Sequence, residues 1–262
     1  MNEGRIIARK DGPIGRLIFD NPSKRNAISI GMANQLPIAL ADFDADPSIH
    51  VVVITGSGDK SFISGADISE FDKKEASPEA VRENAARSQK TFGDLRKFRK
   101  PTVAGIRGFC FGGGVAIAVA CDLRFAADDA LFSIPSARLG IGYRADFTSW
   151  LVDAVGPANA KEMLITAQRY SAHDALRMGL VHRVAPVADF DSQLDSYCAS
   201  IAENAPLAMQ ASKVIVNEVA GGLTNADMDL CQKLTDACKL SDDYKEGRRA
   251  FKEKRRPVFR GI

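Results

Sequence analysis

Along the first half of the chain, short apolar runs rich in β-branched residues alternate with segments whose apolar residues recur at helical spacing. Positions 14–19 read as a strand and positions 30–43 as a helix. Positions 51–55 read as a buried strand, bounded by Gly56-Ser57-Gly58. Ser77-Pro78-Glu79 opens a charged helix running to about position 98, with proline just inside its start and Pro101 beyond its end. Positions 102–106 form the next strand, Gly112 to Gly114 a turn, and 115–120 a helix of small residues able to pack closely. Two further short strands follow at 123–125 and 131–134. This alternation predicts an α/β fold. From about position 150 glycine and β-runs thin out, and helical spacing takes over at 160–166, 172–178, 189–203 and 206–219. The last such segment, 243–254, is dense in charge and precedes Pro257, which marks it as a surface helix. The change of texture places a soft boundary near position 195, between a core over 1–195 and a helical region over 196–262.

Composition narrows the function classes. With 262 residues and 45% hydrophobic content, the chain suffices for one substantial core. A formal net charge of +2 calls for neither nucleic acid nor an acidic membrane surface as partner. Five cysteines, without a Cys-x-x-Cys pair, fit neither a disulfide framework nor a zinc ribbon. The charged residues among the first eleven do not resemble a signal peptide, and the apolar run 115–121 is too short to span a bilayer. A reducing, cytoplasmic setting is the expectation. His50, His173 and His182 have no metal-ligand spacing, so no metal is expected.

Two segments carry candidate chemistry. Ser64-Gly65-Ala66-Asp67-Ile68 follows a strand–turn unit, and its small residues let a ligand approach the backbone; taken alone, the segment reads rather as a tight loop with Asp67 as a helix cap. Gly108-Phe109-Cys110-Phe111-Gly112-Gly113-Gly114 turns from strand to helix, leaving N–H groups at a helix start where negative charge is favoured. It lacks both the Gly-Lys-Ser/Thr ending of a phosphate loop and the spacing of a dinucleotide fingerprint.

Taken in order, these segments resemble the enoyl-CoA hydratase/isomerase (crotonase) family. The resemblance also rests on Asn21-Pro22-Ser23-Lys24-Arg25-Asn26-Ala27, Lys100-Pro101-Thr102, Cys121-Asp122-Leu123, Gly179-Leu180-Val181, Glu246-Gly247, Ala250-Phe251 and Lys254-Arg255, and covers positions 14–260. It implies a spiral of ββα units with two packed sheets and a C-terminal helical region that mediates assembly into trimers or dimers of trimers. It also implies that the N–H groups of Ala66 and Gly113 form an oxyanion hole for a thioester carbonyl. Lys24, Arg25 and Ala27, with Ala66, Asp67 and Ile68, would follow the nucleotide and pantetheine of coenzyme A, which arrives as part of the substrate; no separate cofactor is implied.

The chain departs from the family where its hydratases carry a pair of glutamates: Ala116 and Ser136 stand there. Neither supplies a carboxylate base. The segment Leu139-Gly140-Ile141-Gly142-Tyr143-Arg144-Ala145-Asp146 offers replacements. Asp146 reads as a substitute base or as the N-cap of a helix over 147–155, and Arg144 holds the place where the family's dienoyl isomerases have an aspartate. Some decarboxylases of malonyl-type CoA esters in the family have a tyrosine where Tyr143 stands, and loss of carbon dioxide makes an enolate without a base. Ser136 is a further catalytic candidate or a cap, and Phe147 and Trp150 wall an acyl pocket or pack between helices. Three functions remain open: hydration or isomerisation of an enoyl-CoA, decarboxylation with Tyr143, and a noncatalytic CoA-ester-binding or scaffolding role. Dispersed lysines and arginines argue against RNA.

Overall fold

The protein is described by a computed structural model over residues 4–74 and 76–262. β1 (Arg5–Asp11) and β2 (Ile14–Asp20) pair antiparallel, and β3 (Val51–Gly56) lies parallel to β2. Val51 to Ile54 are each 1% exposed or less, because β3 has strands on both edges and packing on both faces. A parallel strand covered on both sides reads as a continuous apolar run, which is why positions 51–55 are legible without alternation. β1 is the sheet's outer strand and mostly exposed, so its charges face water.

Beyond β3 the chain deals its strands to two sheets in turn. β4 (Ser61–Ile63), β6 (Phe109–Phe111), β8 (Leu131–Ser133) and β9 (Tyr170–Ser171) form the smaller sheet in that order. With β5 (Thr102–Ile106), β7 (Leu123–Ala127) and β10 (Arg183–Ala185), the larger sheet runs β1-β2-β3-β5-β7-β10. The pairs β3/β4, β5/β6 and β7/β8 therefore each place one strand in either sheet, and successive pairs are parallel neighbours. This is the spiral of ββα units that the motifs imply.

Helices fill the turns of the spiral. α1 (Ile30–Ala45) is capped by Ser29, whose hydroxyl accepts from Met32 N. After the short α2 (Phe71–Lys74), α3 (Pro78–Arg96) starts at Ser77, whose side chain accepts from Ala80 N. α4 (Gly113–Ala120) is apolar all round and buried from Gly114 to Ala120. Its seat is tight: a Cβ on Gly114 would lie 2.2 Å from the Ile63 carbonyl oxygen of β4. α5 (Ala145–Thr166) breaks its helical geometry at Gly156, before Pro157. α6 (Ala172–Arg177), α7 (Phe190–Ala202), α8 (Pro206–Ala220), α9 (Met228–Leu240) and α10 (Asp242–Glu253) complete the helical part. Position 195 lies inside α7, whose Phe190, Leu194 and Cys198 share a buried cluster with Val51, Val53 and Val103. Among the described residues no helix is long and apolar enough to cross a membrane.

Candidate active site

The parallel neighbours β4 and β6 deliver two loops to the same place. β4 ends at Ile63 and leads through Ser64 and Gly65 to Ala66; β6 ends at Phe111 and leads through Gly112 into α4. Gly112 has φ 50° and ψ −106°, a conformation open to glycine but strained for an L side chain, and it aims the start of α4 at the first loop. Ile28 bridges to the Ala66 loop, its N–H donating to Gly65 O (2.8 Å) and its carbonyl accepting from Asp67 N (3.0 Å). That leaves Ala66 N pointing away from the bridge. A Cβ built on Gly113 would lie 3.6 Å from Ala66 N, so the two amides are close neighbours. Among the described residues no acceptor takes either the Ala66 or the Gly113 N–H. The Gly113 N–H is also the first of α4, where the helix's own amides favour negative charge.

Both residues line a cavity of about 330 Å³, walled by apolar Ile28, Phe92, Ile141 and Phe147. Tyr143 lines it too. Its hydroxyl donates to Gly112 O at 3.1 Å, the carbonyl of the same peptide whose N–H is that of Gly113. Burial, with Cys110 and Asp146 nearby, pushes the Tyr143 phenol well above the ordinary tyrosine value, so it stays a donor.

The other candidates lie apart from this centre. Asp146 is not among the cavity's lining: Arg144 grips both its oxygens, Nε to Oδ1 at 3.0 Å and a terminal nitrogen to Oδ2 at 2.8 Å. Oδ1 also accepts from Phe147 N, and the Arg144 bonds hold the carboxyl below its ordinary value. The N-cap of α5 is Arg144, so Asp146 sits within the first turn rather than before it. Ser136 lies in a short 3-10 turn, Pro135–Leu139, half-buried and outside the cavity lining. Ala116 is fully buried in α4. Phe147 lines the cavity; Trp150 does not, and packs against the core beside it.

The residues assigned to coenzyme A by resemblance form one cluster. Lys24 Nζ reaches Asp67 Oδ2 at 2.7 Å and Ser69 Oγ at 2.8 Å. Asp67 is 4% exposed; burial pushes its carboxyl up, but the bonds from Lys24 and Ser69 outweigh burial and hold it below the ordinary value. It caps the turn Ile68–Glu70 by accepting from Ser69 N, so its capping reading describes its geometry. Arg25 sits at φ 52° with its guanidinium 4.9 Å from the Phe109 ring centroid. Ala27 is buried and Ile68 exposed.

Sequence reasoning missed the wall that α3 supplies. Asn84, Arg87, Ser88 and Phe92 of α3 all line the cavity. Their spacing of three, four and eight is the signal that places them on one helix face. Glu70, next to the lining residue Phe71, uses Oε2 to accept from Ile30 N at 2.8 Å. Among the described lining residues none is a carboxylate. No group of histidine, cysteine and carboxylate side chains able to hold a metal occurs among the described residues.

Known proteins are similar to this chain in sequence and fold. The family model described as enoyl-CoA hydratase/isomerase matches residues 9–261. The crotonyl-CoA hydratase of Syntrophomonas wolfei is 36% identical, over 97% of each chain. The short-chain-enoyl-CoA hydratase of Clostridium acetobutylicum is 32% identical, over 98% of this chain and 97% of the other. Among solved structures, an enoyl-CoA hydratase/carnithine racemase from Magnetospirillum magneticum superposes with a TM-score of 0.92 at 31% identity, covering 100% of this chain and 97% of that one.

Proposed function

The chain belongs to the enoyl-CoA hydratase/isomerase family and is an enzyme of that family, and from this premise we propose that it binds an acyl-CoA thioester with the carbonyl oxygen on Ala66 N–H and Gly113 N–H and works through the resulting enolate. The observation that carries this reading is the pair of neighbouring amides without an acceptor, set in the wall of a largely apolar cavity. Donors already aimed at developing charge need no reorganisation during reaction, and each is worth on the order of 3 kcal/mol of barrier. Coenzyme A enters as part of the substrate, along Lys24, Arg25, Ala27 and the 66–68 loop.

The relatives named as hydratases make addition of water to an enoyl-CoA the reference reaction. At the two positions that the resemblance assigns to the hydratase glutamates stand a buried Ala116 and a Ser136 off the cavity, and Asp146 is clamped by Arg144. A second reading is favoured by the absence of a carboxylate among the described lining residues: decarboxylation of a malonyl-type CoA ester. The bond from Cα to the carboxyl carbon breaks, carbon dioxide leaves, and the electron pair becomes the enolate held by the two N–H groups; Cα then takes a proton from water. Because the Tyr143 proton is committed to Gly112 O, Tyr143 serves this reaction through the oxyanion peptide.

Turnover of crotonyl-CoA and methylmalonyl-CoA by the purified protein, Gly113→Ala and Gly113→Pro tests both readings. Proline is tolerated at the first position of a helix, and the alanine variant reports the effect of Cβ alone, which would stand 3.4 Å from Ile28 Cδ1. The Pro variant should fall about 100- to 1,000-fold below the Ala variant in kcat. Equal rates in the two, with the Ala variant still active, would rule out a catalytic role for the Gly113 N–H. Hydration without decarboxylation would reject the second reading.

A further inference from the structure

The proposed oxyanion hole accounts for one part of the cavity and leaves another unexplained. The α3 wall presents Asn84, Arg87 and Ser88, all polar, to a space that apolar Ile28, Phe92, Ile141 and Phe147 also line. Polar residues on a buried-facing stripe cost desolvation unless something pairs with them. Arg87 is half-buried, and its Nε donates to Asn34 Oδ1 at 3.1 Å, a neutral acceptor. Among the described residues it has no carboxylate partner. The cavity's other guanidinium, Arg144, is already neutralised by Asp146 and stacks 4.9 Å from the Phe147 ring centroid. The wall therefore carries one uncompensated positive charge, flanked on the same helix face by an amide and a hydroxyl able to donate, with no acid among the described lining residues.

We propose that Arg87, with Asn84 and Ser88, forms a subsite for a carboxylate on the acyl group, so that the preferred substrates are CoA monothioesters of dicarboxylic acids. With Nε held by Asn34, the remaining Nη1/Nη2 edge of the planar guanidinium matches a carboxylate in bidentate fashion. The apolar walls strengthen that pairing by holding water away from it. A neutral acyl group gains no such pairing, because its chain offers the Nη atoms no acceptor. This inference rests on the thioester reading above and adds the chemical class of its acyl group.

The test is calorimetric titration of the intact protein with acyl-CoA pairs of equal carbon number: succinyl-CoA with butyryl-CoA, and malonyl-CoA with propionyl-CoA. In at least one pair the diacid ester should bind about 10- to 100-fold tighter, the range for a charged hydrogen-bonded partner. Arg87→Met should abolish that preference while leaving the affinity for butyryl-CoA and propionyl-CoA within a small factor, and Arg87→Lys should restore part of it. No preference in either pair overturns the subsite and leaves the thioester site standing. Equal weakening of diacid and monoacid esters in Arg87→Met also overturns it, by assigning Arg87 to the coenzyme A moiety or to folding. Binding of none of the esters overturns both the subsite and the thioester reading beneath it.

Discussion

Replacing Tyr143 with phenylalanine removes one oxygen and asks whether that hydroxyl meets the reacting atoms or acts through the backbone. The hydroxyl donates to Gly112 O at 3.1 Å, and the same carbonyl also accepts from Ala116 N at 3.1 Å as part of α4. Removing the tyrosine bond therefore leaves no orphaned carbonyl, and the stability cost should be about 1 kcal/mol or less. A hydrogen bond on a peptide's carbonyl strengthens the donor at its N–H by roughly 10–30%. Applied to an oxyanion donor of about 3 kcal/mol, that is about 0.3–1 kcal/mol, or about a 2- to 5-fold fall in kcat. KM should stay nearly constant, since the loss falls on the charge developed in the transition state. Steady-state kinetics on the esters that the wild type turns over, with circular dichroism to confirm folding, read this directly. A loss of about 100-fold or more in a folded Tyr143→Phe protein would refute the reasoning, because it would require the phenol to donate to substrate.

Further perturbations probe the surroundings of the site. Asp146→Asn should leave kcat within about threefold, since the carboxylate is held by Arg144 outside the cavity lining; abolished turnover would make it the base after all. Gly114→Ala forces a Cβ to 2.2 Å from Ile63 O, a backbone atom that cannot swing aside, and should cost about 3 kcal/mol or more in thermal or urea unfolding; an unchanged midpoint would mean that α4 and β4 separate freely. In the C-terminal segment, bonds from Arg255, Val258 N and Arg249 depress the Glu246 carboxyl to about 2. A depressed carboxyl stabilises the folded state above its ordinary value and loses that contribution as pH falls through the folded one. Amide exchange of residues 255–262 should therefore rise as pH is lowered from about 4.5 toward 2, after correction for intrinsic rates, and Glu246→Gln should raise it at neutral pH. Equal protection in the variant would show that Glu246 does not anchor the segment.

How much of this was legible in the sequence follows from burial and length. β3 and β5 are enclosed strands and announce themselves as apolar runs, and α3 announces its start through Ser77 and Pro78. β4 and β6 span three residues each, too short for any periodicity, although they position both proposed oxyanion amides. β1 is an edge strand whose charges mask its pairing, and α9 buries only Cys231 among its side chains, so its stripe does not read as a core stripe. Within the site, Ala66, Gly113 and Tyr143 could be named from motif and position. The Tyr143 bond to Gly112 spans thirty-one positions, and no local pattern encodes it. Arg87 reads along the chain as one charge of a charged helix; only the fold shows that it faces a cavity.

The central claim is that the thioester carbonyl lies between Ala66 N–H and Gly113 N–H, and the most direct measurement is isotope-edited difference infrared spectroscopy of butyryl-CoA carrying carbon-13 at the thioester carbonyl. Two donors on that oxygen weaken the carbonyl bond, so the bound band should move to lower wavenumber than in water and shift partly back in Gly113→Pro. A bound band at its solution position in the folded wild type, with binding confirmed by calorimetry, would contradict the account.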